Sequence, residues 1–111
     1  MLKFNLKKEW FEKIKSGEKT HEYREVKPYW EKRINSFLEE YQAIDEDDEY
    51  SALIFDDLHC WFVCGYALKS DKSKRLKAKI RSITIINGLN TDLKVDKPVY
   101  DIEFELIKEK I

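Results

Sequence analysis

The sequence contains few of the residues from which common catalytic and cofactor sites are built. Its 111 residues include two cysteines, two histidines, three glycines and two prolines. It has no glycine-rich phosphate loop, no Gly-x-Ser-x-Gly elbow and no His-Glu-x-x-His motif. These absences exclude the usual dinucleotide and nucleoside-triphosphate folds and argue against the serine-hydrolase and zinc-protease arrangements.

Long hydrophobic runs are also lacking. No apolar run approaches the roughly 18 residues that a membrane-spanning helix needs. The first residues do not have the apolar stretch of a secretory signal. We therefore expect a cytoplasmic protein with no membrane partner. A chain of this length fits one domain of ordinary size, so residues 1–111 are predicted to form a single domain. The sequence does not determine its oligomeric state.

The two cysteines, Cys60 and Cys64, lie four residues apart in a segment with the character of a strand. Four residues of strand span about 13 Å, whereas the Cα atoms of a disulfide lie roughly 4.4–6.8 Å apart. This separation excludes a bridge within the strand. It also disfavours a shared metal ion, for which His21 and His59 are the remaining classical ligands. We predict core packing for both cysteines, no metal site and no cofactor.

Charge is plentiful but unevenly distributed. Charged residues make up 39% of the chain, and the net charge is −1. Residues 39–57 contain nine acidic residues and no lysine or arginine, whereas residues 69–81 contain seven basic residues and one acidic residue. This second segment, the basic strip, could follow a nucleic-acid backbone. It could equally be an exposed hairpin connection followed by the solvated face of a strand.

The spacing of apolar residues predicts two helices and a set of strands. Helical spacing occurs at residues 8–16 and 28–42. Strand patterns occur at residues 2–6, from Thr20 to Arg24, and at residues 52–55, 61–68, 76–86 and 99–107. The acidic residues 45–49 have neither the glycine nor the ligand spacing of a calcium loop, so a solvated loop is predicted there.

The last two strand patterns indicate the shape of the sheet. Within residues 99–107, the stretch 100–106 alternates strictly between apolar and acidic residues, so one face is buried and the other faces water. In residues 76–86 the apolar parity changes between Leu76 and Ile83, which predicts a bulge near Arg81 and Ser82. We therefore predict an α+β fold with five or six strands, two helices near the N-terminus, and a curved sheet approaching a small barrel.

Polar side chains are concentrated after a predicted turn at residues 17–19. Glu22 and Arg24 share one strand face, and Lys19 can reach either face. Arg24 could fork onto a phosphate or base edge, Glu22 could accept from an amino group, and Lys19 could supply a point charge. Tyr23 and Tyr66 are candidate stacking surfaces for a base. The alternative is a cluster of structural ion pairs that closes the turn.

The same segment resembles a known family. The chain reads Trp10-Phe11-x-x-Ile14-x-Ser16-Gly17-Glu18-Lys19-x-x-Glu22-Tyr23-Arg24-x-x-Lys27-Pro28-Tyr29-Trp30. This string resembles the ASCH family, whose signature is Gly-x-Lys-x-x-Glu-x-Arg after a short helix. Gly17, Lys19, Glu22 and Arg24 fill the four signature positions. Gly65-Tyr66 and the closing strand that begins near Tyr100 also resemble the second half of the family.

The resemblance implies a β-barrel of the PUA-like superfamily, with a cleft beside the signature that accepts RNA or a nucleotide. On this basis we expect a binding module for a nucleotide, a modified nucleoside or a single-stranded RNA segment. The residues expected to contact this ligand are Lys19, Glu22, Tyr23, Arg24 and Tyr66.

Members of the ASCH family differ in activity, so a small hydrolase on the same scaffold is the second hypothesis. One branch hydrolyses N4-acylated cytidines, and another has been described as a ribonuclease. In the hydrolytic branch a lysine activates a threonine three positions later, but Glu22 stands three positions after Lys19. A hydrolase would therefore use Lys19 as base, with Glu22 orienting or activating water. A protein-interaction domain is the third possibility.

Overall fold

The computed structural model describes residues 2–42 and 59–107, which contain five strands and two α-helices. In chain order these are β1 (Leu2–Leu6), α1 (Lys8–Lys15), β2 (His21–Glu25), α2 (Pro28–Gln42), β3 (His59–Cys64), β4 (Arg75–Asn87) and β5 (Pro98–Leu106). Short 3-10 turns at Lys72–Lys74 and Gly88–Asn90 flank β4. The strand predicted at residues 52–55 and the loop predicted at residues 45–49 lie outside the described residues.

The five strands form one curled sheet in the order β1-β3-β4-β5-β2. β1 pairs with β3 in parallel, and the other neighbouring strands are antiparallel. The predicted α+β class and curved sheet are therefore confirmed, with the sheet shaped as a half-barrel. The two strands nearest the N-terminus occupy the two ends of the strand order.

The core is built from residues of the sheet and of both helices. Phe4 of β1, Phe62 of β3 and Phe104 of β5 are buried, and the Phe62 ring centroid lies 5.6 Å from Phe4 and 4.5 Å from Phe104. Ile14 of α1 and Ile34 of α2 are fully buried against them. The alternating pattern in β5 places its apolar residues in this core and its acidic residues outward, as the sequence predicts.

A bulge interrupts the pairing of β4 with β5 at the predicted place. The register shifts between Ile80 and Ser82, so the two halves of β4 present opposite parities to the core. Ile83 packs against the core as expected. Ile85 has the same parity but is 60% exposed. Its partner in β5, Tyr100, is 5% exposed and belongs to the core, so the exposure of Ile85 is on the β4 side of the pair.

The strand predicted at residues 61–68 is shorter than expected. β3 ends at Cys64, and Gly65 then adopts a φ of 61°, a left-handed conformation that cannot continue a strand. The Gly65 N–H donates to the Leu6 carbonyl oxygen instead, at 2.8 Å. The predicted extension to Leu68 is therefore wrong. Cys60 is buried, Cys64 is partly buried, and both are free thiols.

The end of α1 fixes where the candidate site begins. The helix ends at Lys15, and Gly17 follows with a φ of 86°, a conformation that glycine adopts without a steric penalty. The Gly17 N–H donates to the Ile14 carbonyl oxygen at 3.1 Å, and the Lys19 N–H donates to the Lys13 carbonyl oxygen at 3.0 Å. The backbone of Lys19 is thereby held at the helix end, immediately before β2.

No helix in the described ranges is long and apolar enough to cross a membrane.

Candidate functional site

Glu22 is the buried acid at the centre of the candidate site. It lies in β2, is 5% exposed, and pairs with Ile102 of β5. Its Oε1 accepts a hydrogen bond from the Tyr23 N–H at 2.9 Å. Acidic side chains are seldom buried unless they are paired, and Glu22 has cations on both sides. Lys19 and Arg24 therefore decide its electrostatic environment.

Lys19 connects Glu22 to an acid from a distant part of the chain. Its Nζ lies 3.4 Å from Glu22 Oε1 and forms a second ion pair with Asp92. The lysine side chain is only 10% exposed. Its Nζ lies 4.6 Å from the centre of the Trp10 ring, a cation–π distance. Lys19 is thus a fixed donor shared between two carboxylates, with an aromatic ring beside it.

Arg24 shares the Glu22 face of β2, as the strand parity predicts. One guanidinium nitrogen, NH2, lies 3.6 Å from Glu22 Oε2 and donates to the Asn5 carbonyl oxygen at 3.3 Å. The guanidinium carbon lies 5.0 Å from the centre of the Trp30 ring and 5.3 Å from that of Phe4. These contacts hold the guanidinium in one place.

Among the residues that the structure describes, two buried polar atoms at this site have no hydrogen-bond partner: Glu22 Oε2 and Arg24 Nε. One is an acceptor and the other is a donor. They belong to side chains that approach each other to 3.6 Å, yet their geometry does not make a hydrogen bond between them. Leaving such an atom unsatisfied costs about 1–3 kcal/mol. An unpaired donor next to an unpaired acceptor therefore requires an explanation.

The side chains of Glu22 and Arg24 line a cavity of about 380 Å³, here called the Glu22 cleft. Its wall includes the three signature side chains Lys19, Glu22 and Arg24, the aromatic residues Trp10, Tyr23 and Trp30, and Asp92. Burial raises the pKa of Tyr23, and the nearby carboxylates of Asp101, Asp92 and Glu22 add to this effect. The Tyr23 hydroxyl is therefore held in its neutral form, which can donate a hydrogen bond.

Four of the five predicted site residues meet in this cleft: Lys19, Glu22, Tyr23 and Arg24. The fifth, Tyr66, follows the turn at Gly65, is 92% exposed, and does not line the cavity. The three charged residues form the ion-pair cluster that the alternative interpretation expects, and they also line a cavity. Structural and binding roles are therefore compatible in this cluster.

Sequence reasoning missed Asp92 and Trp10. Asp92 lies 73 residues from its partner Lys19, and no local pattern marks it as part of a site. Its position is set by a turn in which the buried Thr91 hydroxyl donates to the Gly88 carbonyl oxygen at 2.7 Å. Trp10 has helical core spacing, but the structure places its ring beside Lys19 at the wall of the cleft.

A second polar pair lies beyond the cleft. His21 Nδ1 lies 2.7 Å from Asp101 Oδ1, joining β2 to β5. Neither residue lines the Glu22 cleft. Across the two described ranges, no group of three or more His, Cys, Asp or Glu residues is arranged to hold a metal ion.

The chain was compared with protein-family models, with curated proteins and with solved structures, and none of them matches it. The function of the Glu22 cleft is therefore inferred from its own geometry and charge.

Proposed function

We propose that the Glu22 cleft binds a nucleobase-bearing ligand: a nucleotide, a modified nucleoside or one segment of single-stranded RNA. The observation that carries this proposal is that the acceptor Glu22 Oε2 and the donor Arg24 Nε have no hydrogen-bond partner in the described part of the chain, although the two side chains form an ion pair. A ligand that offers a donor and an acceptor on one edge would satisfy both atoms once the two side chains turn toward the cleft, because neither atom is accessible to solvent as the cleft stands. Their present cost would then become binding energy.

Nucleobases have such edges. Cytosine, for example, presents an exocyclic amino group, which donates, next to ring and carbonyl acceptors. Glu22 Oε2 would accept from the amino group, and Arg24 would donate to the neighbouring acceptor. Because both protein atoms are buried, a ligand without the matching edge would leave them unpaired. The cleft would therefore discriminate by chemistry as well as by shape.

Size and lining support the same ligand class. A cavity of about 380 Å³ falls within the range of small-molecule sites, roughly 300–1,000 Å³. Trp10, Tyr23 and Trp30 provide aromatic surface, on which bases stack. The exposed Lys7 lies at the rim, where it can contact a phosphate group. A single nucleotide unit fits this combination better than an extended duplex.

The proposal includes the finer fold that the resemblance implies. A half-barrel with a cleft beside Gly17, Lys19, Glu22 and Arg24 agrees with a small PUA-like barrel of the ASCH type. In that reading the two helices close the open side of the sheet. RNA or a free nucleotide would then be the partner of this domain.

Hydrolysis in the same cleft is the second candidate, with Lys19 as base and Glu22 activating water. The unpaired Glu22 Oε2 could accept a hydrogen bond from that water. Against it, Lys19 Nζ donates to both Glu22 and Asp92, and a base must be free to accept a proton. The ion pairs therefore favour binding over turnover.

The test is a two-dimensional amide NMR titration with nucleosides, N4-acetylcytidine and a short RNA. Binding is expected to move the amide signals of residues 17–24 and the indole signals of Trp10 and Trp30. Glu22→Gln removes the negative charge and exchanges one of the two acceptor oxygens for an NH2 donor, which should weaken binding about 10- to 100-fold, because a hydrogen bond to a charged group contributes about 1.5–3 kcal/mol. The matched control, Glu105→Gln, removes an exposed acid outside the cleft and should bind normally.

Product signals in the same titration would identify a hydrolase. Turnover that disappears in Lys19→Ala would favour the second candidate over a simple binding module. If no ligand moves the signals of the cleft at millimolar concentration, the proposal is wrong. A protein partner would then be the leading alternative.

A further inference from the structure

A second cavity, of about 420 Å³, lies at a different part of the sheet and shares no residue with the Glu22 cleft. We call it the Trp61 cleft. Its cationic lining consists of Lys15, Lys69, Lys72, Arg75 and Lys77. Its apolar lining consists of Trp61, Leu76, Leu106 and Ile107. No acidic residue of the described chain lines it.

The five cations come from separate elements. Lys15 ends α1, Lys69 and Lys72 lie in the connection after β3, and Arg75 and Lys77 begin β4. Pairing of β3 with β4 sets Trp61 opposite Lys77. The basic strip supplies four of these residues, but the fifth, Lys15, joins them only through the fold. This convergence is not visible in the sequence.

Within residues 2–42 and 59–107, no carboxylate neutralises these cations. Among the described residues, none of the five forms an ion pair; the acid within the basic strip, Asp71, is paired with Lys74, which does not line the cleft. Arg75 and Lys77 instead lie over the Trp61 ring, 4.9 Å and 5.9 Å from its centre. Gathering like charges around one cavity is unfavourable without an anion. A bound anion would relieve this repulsion.

We propose that the Trp61 cleft is a second binding site, which takes a nucleoside di- or triphosphate. The cations would contact the phosphate oxygens, with Arg75 able to form paired hydrogen bonds. The apolar wall of Leu76, Leu106 and Ile107, together with the partly exposed Trp61 ring, would cover the nucleoside. Two or more phosphates are needed because one phosphate group, which carries about two negative charges at pH 7, would leave most of the five cations unbalanced.

A compact ligand fits this geometry better than an extended strand. The cations converge on one cavity, whereas the backbone of a nucleic acid is followed by charges arranged along a line. The volume is also that of a small-molecule site. An inorganic polyphosphate would satisfy the charges but would leave the apolar wall unused. The nucleoside is therefore part of the proposed ligand.

The three tryptophans allow the two clefts to be observed separately. Trp61 lines the Trp61 cleft, whereas Trp10 and Trp30 line the Glu22 cleft. Each tryptophan gives one indole N–H signal, and Trp61→Phe identifies the Trp61 signal by its loss. Titration of the full chain with ADP and ATP, at physiological ionic strength and without divalent cations, should move the Trp61 signal and saturate. Adenosine and inorganic tripolyphosphate, tested singly, should bind more weakly.

The double variant Lys69→Glu/Lys72→Glu removes two exposed cations of the cleft. It should weaken nucleotide binding at least about tenfold, since one charge-assisted contact corresponds to about that factor. The matched control is Lys8→Glu/Lys32→Glu, which makes the same change in net charge at exposed positions outside both clefts. The control should retain the affinity of the parent chain.

Three results would overturn the proposal. The Trp61 signal could stay in place at millimolar nucleotide. Tripolyphosphate could bind as tightly as ATP, which would remove the nucleoside from the site. The control variant could lose binding as much as the test variant, which would reveal a general effect of net charge. Each result is independent of the Glu22 cleft, because the Trp10 and Trp30 signals report on that cleft in the same spectra.

Discussion

Replacement of Glu22 by glutamine tests whether the buried charge stabilises the fold. The carboxylate lies 3.4 Å from Lys19 Nζ and 3.6 Å from Arg24 NH2, with a side chain that is 6% exposed. At an effective dielectric constant of about 20, each pair is worth about 5 kcal/mol of Coulomb attraction. Burial of the carboxylate opposes this with a desolvation penalty of several kcal/mol. The two effects are of similar size, so their balance must be worked out from the geometry.

The geometry predicts a net loss of stability for Glu22→Gln. Breaking a fully buried ion pair costs about 3–5 kcal/mol, but Lys19 keeps its second partner Asp92, and the Arg24 side chain is 22% exposed. The expected decrease in the free energy of unfolding is therefore smaller, about 1–3 kcal/mol. In a domain of about 100 residues, each kcal/mol lowers Tm by about 4–8 °C.

Urea denaturation followed by tryptophan fluorescence measures this difference directly. Glu105→Gln is the matched control, because Glu105 and its partner Arg81 are 60% and 51% exposed. That surface pair should contribute no more than about 1 kcal/mol. If Glu22→Gln is as stable as the parent chain or more stable, the reasoning is refuted. The buried carboxylate would then lower the stability of the fold, and its presence would need a role other than stabilisation.

Two further predictions concern buried atoms of the core. Burial raises the pKa of the Cys60 thiol from 9.0 to about 12, so the folded state favours the protonated thiol. The free energy of unfolding should therefore be unaffected by this group below pH 9 and should fall by about 4 kcal/mol as the pH rises toward 12. Urea titrations across this range should show a shallower decline for Cys60→Ala, and equal slopes would contradict the assignment. In Gly88→Ala the new Cβ would lie 2.6 Å from Val99 Cγ1 and 2.9 Å from the Val95 carbonyl oxygen. Overpacking should lower the free energy of unfolding by about 1–3 kcal/mol in thermal denaturation. The control Gly17→Ala should cost only about 1 kcal/mol, because it strains a positive φ without a steric contact. A larger loss for Gly17→Ala than for Gly88→Ala would show that the residues around Gly88 shift to accommodate the new methyl group.

Local patterns predicted much of the fold because they act within one element. Apolar spacing gave both helices to within a residue, and the parity change in β4 located its bulge. The turn at Gly17 and the parity of β2 were sufficient to bring Lys19, Glu22 and Arg24 to one site. In each case the residues that decide the geometry are neighbours along the chain.

Features that depend on distant residues could not be predicted in this way. Asp92 forms its ion pair with Lys19 in a fold in which β5 pairs with β2, and the residues next to Asp92 in the sequence contain no motif that predicts this contact. Lys15 reaches the Trp61 cleft because α1 packs near the β3–β4 pair. The end of β3 was missed because the apolar pattern continues past Gly65, whereas the backbone turns there. Long-range pairing and backbone conformation decided these points.

The strand order determines when the Glu22 cleft can exist during synthesis. β1 and β2 are neighbours along the chain, yet β1 pairs with β3, and β2 pairs with β5. The signature residues of β2 leave the ribosome early but have no pairing partner until β5 has followed them. Such long-range pairing is slow and leaves the early segment exposed. The Glu22 cleft can therefore form only after β5 has been made, and a shortened translation product would carry Gly17, Lys19, Glu22 and Arg24 without the cleft.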